Sequence, residues 1–217
     1  MKIYIPDEVK LVRRLHQQTL NNRSGFNTVF QQLEAFVENI SQAYAQQDIA
    51  TTIEIKNHHP QYLGASPEKI FEANLSKADL QLVIARAYGF ADWSIAQSGG
   101  NQAFSESFEK AVDLLLSGAK KELLDLLTAQ PELLHQRSTY GHNAGLIHYL
   151  GSNGIEIWRQ VVPSNITEIA NMLIELGADK TMKAPIYGIS DVKMLIDSSA
   201  HPWDAGIGQE LSSVFNE

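Results

Sequence analysis

The stretch Ala144-Gly145-Leu146-Ile147-His148-Tyr149-Leu150-Gly151-Ser152-Asn153-Gly154, followed shortly by Glu168-Ile169-Ala170-Asn171-Met172-Leu173-Ile174-Glu175-Leu176-Gly177-Ala178-Asp179, decides how the second half of the chain reads. The first part is patterned as a short helix running to a glycine. The second is an amphipathic helix that also closes on a glycine, the residue that most readily takes the left-handed backbone of a helix stop.

The pair has an echo upstream. Ala111-Val112-Asp113-Leu114 aligns with Ile147-His148-Tyr149-Leu150 at an offset of 36 residues, and Glu122-Leu123-Leu124-Asp125-Leu126-Leu127 aligns with Glu168-Ile169-Ala170-Asn171-Met172-Leu173 at an offset of 46. The ten-residue difference falls between Gly154 and Asn165, so Ile155 to Ser164 reads as an insertion between paired helices. Recurrence at such periods marks helical repeats, each of which buries its apolar face by stacking on a neighbour. A looser third unit has Val192, Leu195 and Ile196 in its first helix and Gly208 to Phe215 as its second.

The first hundred residues also read as helical. Pro6 near the first helical position and Asp7-Glu8 in the first turn open a helix to about Gln18. Phe26, Phe30, Leu33, Val37, Ile40 and Tyr44 recur at spacings of three and four, which puts them on one face, with Gln31, Gln32, Glu34, Glu38 and Asn39 outside. The stripe is too short for a coiled coil. Ile49 to Ile55 fits either period, and the lack of a partner strand favours a helix. Residues 61–75 read as a loop. Ser76 and Asp79 form a variant capping box for a helix carrying Leu80, Val83, Ile84 and Ala87 to a stop at Gly89, and Asp92 caps a short helix with Trp93 and Ile95. Ser98-Gly99-Gly100-Asn101 is the best boundary, dividing a helical N-terminal region (1–98) from the repeats (101–217, units near 102–136, 137–180 and 181–217).

Composition narrows the function. A net charge of −8, with no Lys/Arg-rich run, argues against nucleic acid as a partner. The absence of cysteine excludes disulfides, thiolate nucleophiles and Cys-based zinc sites. No run approaches the roughly 20 apolar residues of a membrane span, and Met1 to Glu8 lack a signal peptide's apolar core, so a cytoplasmic protein is expected.

Gly145-Leu146-Ile147-His148-Tyr149-Leu150-Gly151 resembles the ankyrin signature T-P-L-H-x-A-A, and Leu176-Gly177-Ala178-Asp179 resembles its closing L-G-A-D. Together with Gln130-Pro131-Glu132-Leu133-Leu134, Ser199-Ala200-His201-Pro202 and Ile84-Ala85-Arg86-Ala87-Tyr88-Gly89-Phe90-Ala91-Asp92-Trp93, the chain is similar to bacterial ankyrin-repeat proteins with an extra helical N-terminal region, over roughly residues 36–217. Strict matches are confined to the second repeat. Gly145-Leu146 stands where the signature has Thr-Pro, and Leu150-Gly151 where it has two alanines. The resemblance implies an all-α solenoid of irregular ankyrin-like helix-turn-helix repeats stacked on the N-terminal region, acting as a non-catalytic scaffold for a protein partner. It implies structural roles for His148, Gly154 and Gly177. It puts Tyr140, His142 and Asn143 at one turn tip, Tyr187 at the next and Tyr149 toward the concave face.

The insertion adds Trp158 and Arg159, residue types enriched in binding hot spots, although Trp158 reads equally well as a local core with Val161 and Val162. No phosphate loop, HExxH, GxSxG or EF-hand pattern is present, and no cofactor or metal is expected. The alternative is a small-molecule- or metal-dependent enzyme with a pocket between the N-terminal helices and the repeats, using His142, His148 or His201.

Overall fold

Pro6 directly precedes helix α1 (Asp7–Leu15), whose first turn holds Asp7 and Glu8 and whose last holds Arg13 and Arg14, both placements favourable to the helix dipole. The structure, a computed structural model, describes residues 2–216. The chain forms two compact units, one of residues 7–104 with 139–141, the other of residues through Pro6, 105–138 and 142 onward.

In the N-terminal unit α1 is followed by α2 (Gln17–Asn21), α3 (Val29–Ala45), α4 (Ala50–His58), α5 (Pro67–Glu72), α6 (Lys77–Ala87) and α7 (Trp93–Gly99). The stripe of α3 faces inward: Leu33, Val37 and Ile40 are buried, joined by Phe36, with Ile55 of α4 and Val83 and Ile84 of α6. Phe26 lies ahead of α3, which begins at Val29. Gln32 departs from the expected outer face. It is buried, and its Oε1 accepts a 2.6 Å hydrogen bond from the Tyr140 hydroxyl. The pair satisfies two polar groups that would otherwise be stranded in the core.

One further expectation changes. The loop read over 61–75 contains α5, started by the Ser66 hydroxyl accepting from Lys69 N–H and by Pro67 in the first turn. In the Ser98–Asn101 stretch Gly100 is buried while Ser98, Gly99 and Asn101 are exposed. The carbonyl of buried Gly100 accepts from Phe30 N–H at 2.8 Å, and a Cβ there would lie 3.2 Å from the Phe30 nitrogen.

The C-terminal unit begins with a strand, β1 (Ile3–Tyr4), then has α8 (Glu106–Leu116), α9 (Lys120–Ala129) and a 3₁₀ turn over Pro131–Leu134. Arg137 and Gly145 then form an isolated antiparallel bridge that leads into a 3₁₀ helix, Leu146–Gly151. A second 3₁₀ turn, Ile157–Arg159, precedes β2 (Val162–Pro163), and helix α10 (Ile166–Glu175) follows. The antiparallel hairpin β3 (Lys183–Ala184) and β4 (Ser190–Asp191) leads into α11 (Val192–Ser198), α12 (Ala200–Asp204) and α13 (Gly208–Ser213).

The fold is therefore mostly helical with minor strands, not all-α. Tyr4 pairs with Val162 and Ile3 with Pro163. Strands of two residues are too short to show the alternation by which a sequence announces them. Ile155 to Ser164, read as an insertion, lies inside this unit: Ile155, Glu156, Ile157, Trp158, Arg159, Val161 and Val162 are all buried. The opening helix stops at Gly151, and Ser152 takes the left-handed backbone (φ 49°) ahead of Gly154 (φ 68°). Gly151 matters for approach, since a Cβ there would lie 2.6 Å from the Leu195 Cβ. Among the described residues no helix is long and apolar enough to cross a membrane.

Candidate functional site

Arg159 occupies the centre of the C-terminal unit, 1% exposed, on the 3₁₀ turn Ile157–Arg159. A guanidinium out of water needs carboxylate partners, and three supply them. Its Nη2 donates to Glu109 Oε2 at 2.6 Å and Asp113 Oδ1 at 3.0 Å, and its Nη1 to Glu156 Oε1 at 3.1 Å. Glu109 and Asp113 sit four residues apart on α8 and so share a face. The guanidinium carbon lies 4.4 Å from the centre of the Trp158 ring and 5.7 Å from that of Tyr149, adding cation–π attraction.

His142 closes one side. Its Nδ1 accepts from Ala144 N–H at 3.1 Å, which puts the proton of the neutral ring on Nε2, 3.6 Å from Glu156 Oε2. Burial would raise the Glu156 carboxyl, but Arg159 and His142 outweigh it and hold it at about 2. Burial pushes the Tyr149 phenol well above its ordinary value, with Glu156 adding to the rise. Burial opposes the charge on Arg159, yet Glu109, Glu156 and Asp113 keep its pKa well above the usual value. Glu156, Tyr149 and Arg159 therefore hold their protonation states near neutral pH.

The expected recognition surface divides in two. Tyr140, His142, Tyr149, Trp158 and Arg159 are buried, none more than 7% exposed, which corrects their placement on a surface. Tyr140 packs its ring 5.0 Å from that of Tyr88. Tyr149 has the rings of Phe108 and His142 at 6.4 and 6.3 Å. Of the two readings of Trp158, burial holds, with Arg159 against its ring. Asn143 and Tyr187 do reach solvent, Asn143 with φ 49° and its carbonyl accepting from Arg137 Nη1 at 2.9 Å.

Tyr187 stands at the tip of the β3–β4 hairpin, 72% exposed and with φ 48°, beside Ile189 at 68%. The tip is held from within. Ile186 N–H donates to Ala184 O at 2.8 Å, and the buried Ser190 hydroxyl donates to Ile186 O at 2.7 Å. The Tyr187 hydroxyl donates to Asn153 Oδ1 at 2.9 Å. Gly154 makes room for this: a Cβ there would collide with Ile186 and come 3.2 Å from the Tyr187 ring. Met194, on the first turn of α11, is 54% exposed.

His148 braces the base of that hairpin. Its Nδ1 accepts from Gly145 N–H at 3.1 Å, so its Nε2–H donates to Met182 O at 3.0 Å. Arg137 Nη1 ties the same region by donating to Lys183 O at 2.9 Å. Gly177 closes α10 with φ 97°. Among the described residues no group of three or more His, Asp or Glu is placed to hold a metal ion.

Glu109, Asp113 and Glu156 escaped the reading of the sequence. The signal was Arg159 itself: a permanent cation inside the apolar run Ile157-Trp158-Arg159-Gln160-Val161-Val162 must find acidic partners, and Glu109 and Asp113 offer them at helical spacing. Comparison with protein-family models, with curated proteins and with solved structures finds no match to the chain.

Proposed function

We propose that the chain is a divergent ankyrin-like protein, a non-catalytic scaffold that grips a protein partner with the tip of the β3–β4 hairpin. The observation that carries this reading is the exposure of Tyr187 and Ile189 on a tip held by Asn153, Ser190 and Gly154. A large aromatic already fixed in place loses little freedom on binding, and such residues dominate protein interfaces.

The ankyrin-like part of the reading draws support from a recurring succession. The Arg137–Gly145 bridge leads into the Leu146–Gly151 helix and then α10, and the Lys183–Asp191 hairpin leads into α11 and then α13. The same sequence offset of 46 residues separates Arg137 from Lys183 and Gly145 from Asp191. Arg137 and His148 each join the first bridge to the second hairpin through a backbone carbonyl, as stacked units require.

The test is site-directed photo-crosslinking in source cells from position 187, with exposed Leu63 as the control position, followed by purification of the captured protein. The expected result is one partner trapped from position 187 and not from 63, whose binding to the purified chain falls at least about tenfold in Tyr187→Ala/Ile189→Ser. Equal trapping from both positions, or undiminished binding by the double variant, overturns the assignment.

A further inference from the structure

We propose that the N-terminal unit carries a second, unrelated binding site, for a neutral polyhydroxylated ligand of the saccharide class, in the groove between α2 and α3. The groove measures ≈ 590 Å³, within the range of small-molecule sites. Its walls are amides: Gln17, Gln18 and Asn21 from α2, and Asn39, Gln42 and, just past its end, Gln46 from α3. The spacings Asn39, Gln42, Gln46 put the α3 amides in one row along that helix.

Charge and shape select the ligand. The two opposite charges that line the groove, Arg14 and Asp48, pair with each other at 2.6 Å, so neither an anion nor a cation finds an uncommitted counter-charge there. No aromatic side chain lines the groove among the described residues, which removes the stacking platform a nucleobase uses. Leu15 and Ala43 add apolar lining, the chemistry that meets the C–H face of a sugar ring.

Two of the amides are already committed on one side. Asn39 Nδ2 donates to Thr19 Oγ1 at 2.7 Å and lies 3.5 Å from His16 Nδ1. Gln42 Nε2 donates to Glu38 Oε1 at 2.6 Å. Each of these amides keeps a carbonyl oxygen chemically able to accept from a ligand hydroxyl. Behind Asn39 lies a pair that ordinary packing does not call for. His16 Nε2 meets Glu54 Oε2 at 2.9 Å, with side chains 0% and 3% exposed. Burying such a pair usually gains little stability over an apolar replacement. Its position gives it a use. Glu54 fixes the ring of His16, His16 faces Asn39, and the amide at the groove wall keeps one orientation, as supporting residues do behind binding groups.

The test is a titration of the full chain with maltose, cellobiose and trehalose, each to about 50 mM, a range that detects millimolar affinity. Binding is followed through the side-chain amide resonances of Asn39, Gln42 and Gln18, with glucose 6-phosphate as the charged control. The expected result is saturable shifts at these amides for at least one neutral disaccharide, a weaker response to the phosphate, and about a tenfold loss of affinity in Gln42→Ala and Asn39→Ala. Gln42 is exposed, so Gln42→Ala keeps the test decisive even where Asn39→Ala fails to fold. No saturable shift with any of the three sugars, undiminished affinity in Gln42→Ala, or a stronger response to the phosphate overturns the proposal.

Discussion

Arg159 and Tyr187 are residue types that dominate binding hot spots, yet they stand in opposite surroundings within one compact unit. Arg159 is 1% exposed and ringed by Glu109, Asp113 and Glu156, whereas Tyr187 is 72% exposed and tied to the protein by its hydroxyl's bond to Asn153. The first joins the Ile155–Ser164 segment to α8. The second is held outward by the same segment's neighbour, Gly154. Residue type marks both as candidates for recognition, and burial decides between them.

The comparison breaks most visibly at Arg159. Arg159→Met strands Glu156 in the interior without its main cation, and losing one partner of a buried ionic cluster costs roughly 3–5 kcal/mol. Urea denaturation should show that loss, and a variant within about 0.5 kcal/mol of the parent would mean the cluster is no clamp. Gly154→Ala tests the joint between the two regions. It imposes a Cβ at φ 68° and against Ile186, so a loss of roughly 2 kcal/mol is expected from strain and overpacking. The Ile186 amide, which donates to Ala184 O, should lose hydrogen-exchange protection at the same time.

Acid should separate the regions in order. Burial holds His148 below the ordinary histidine value of 6.5, so the unfolded chain takes up that proton first. Stability from the neutral brace is complete above about pH 6.5 and is lost as the pH falls below it. Glu156, held at about 2 against an ordinary 4.5, gives stability that is complete above about pH 4.5 and lost only as the pH falls toward 2. Exchange protection at Gly145, corrected for intrinsic rates, should therefore fall between pH 7 and 5 while that of α8 stays level. Simultaneous loss in both would refute this order. The smallest effect is expected at the tip: Tyr187→Ala should shift stability by no more than about 0.5 kcal/mol, read from the same urea curves, while removing partner contact.

Much of the helical framework is legible in the chain. The α3 stripe, the Ser76–Asp79 box and the stops at Gly89 and Gly177 rest on local rules of spacing, capping and left-handed backbone. What escaped depends on distant partners. Gln32 looks solvent-facing until Tyr140 arrives from 108 residues away. Ile3–Tyr4 becomes a strand only because Val162–Pro163 pairs with it, and Arg159 becomes a core residue because Glu109 is brought to it across 50 positions. Tyr187 was legible as an exposed tip because a hairpin turn needs little beyond its own residues. Asn143 was likewise read as exposed, but Tyr140, His142, Tyr149, Trp158 and Arg159 were not read as buried, since aromatic and basic side chains serve a core as well as an interface once their polar ends are satisfied.

The central claim is that Arg159 clamps the interior and no partner reaches it. Hydrogen exchange by mass spectrometry on Arg159→Met tests that most directly. The account predicts that peptides covering α8 and Ile155 to Pro163 lose protection by about a hundredfold or more, the equivalent of roughly 3 kcal/mol. Unchanged protection in both peptides, together with lost partner binding, would place Arg159 in the interface and contradict it.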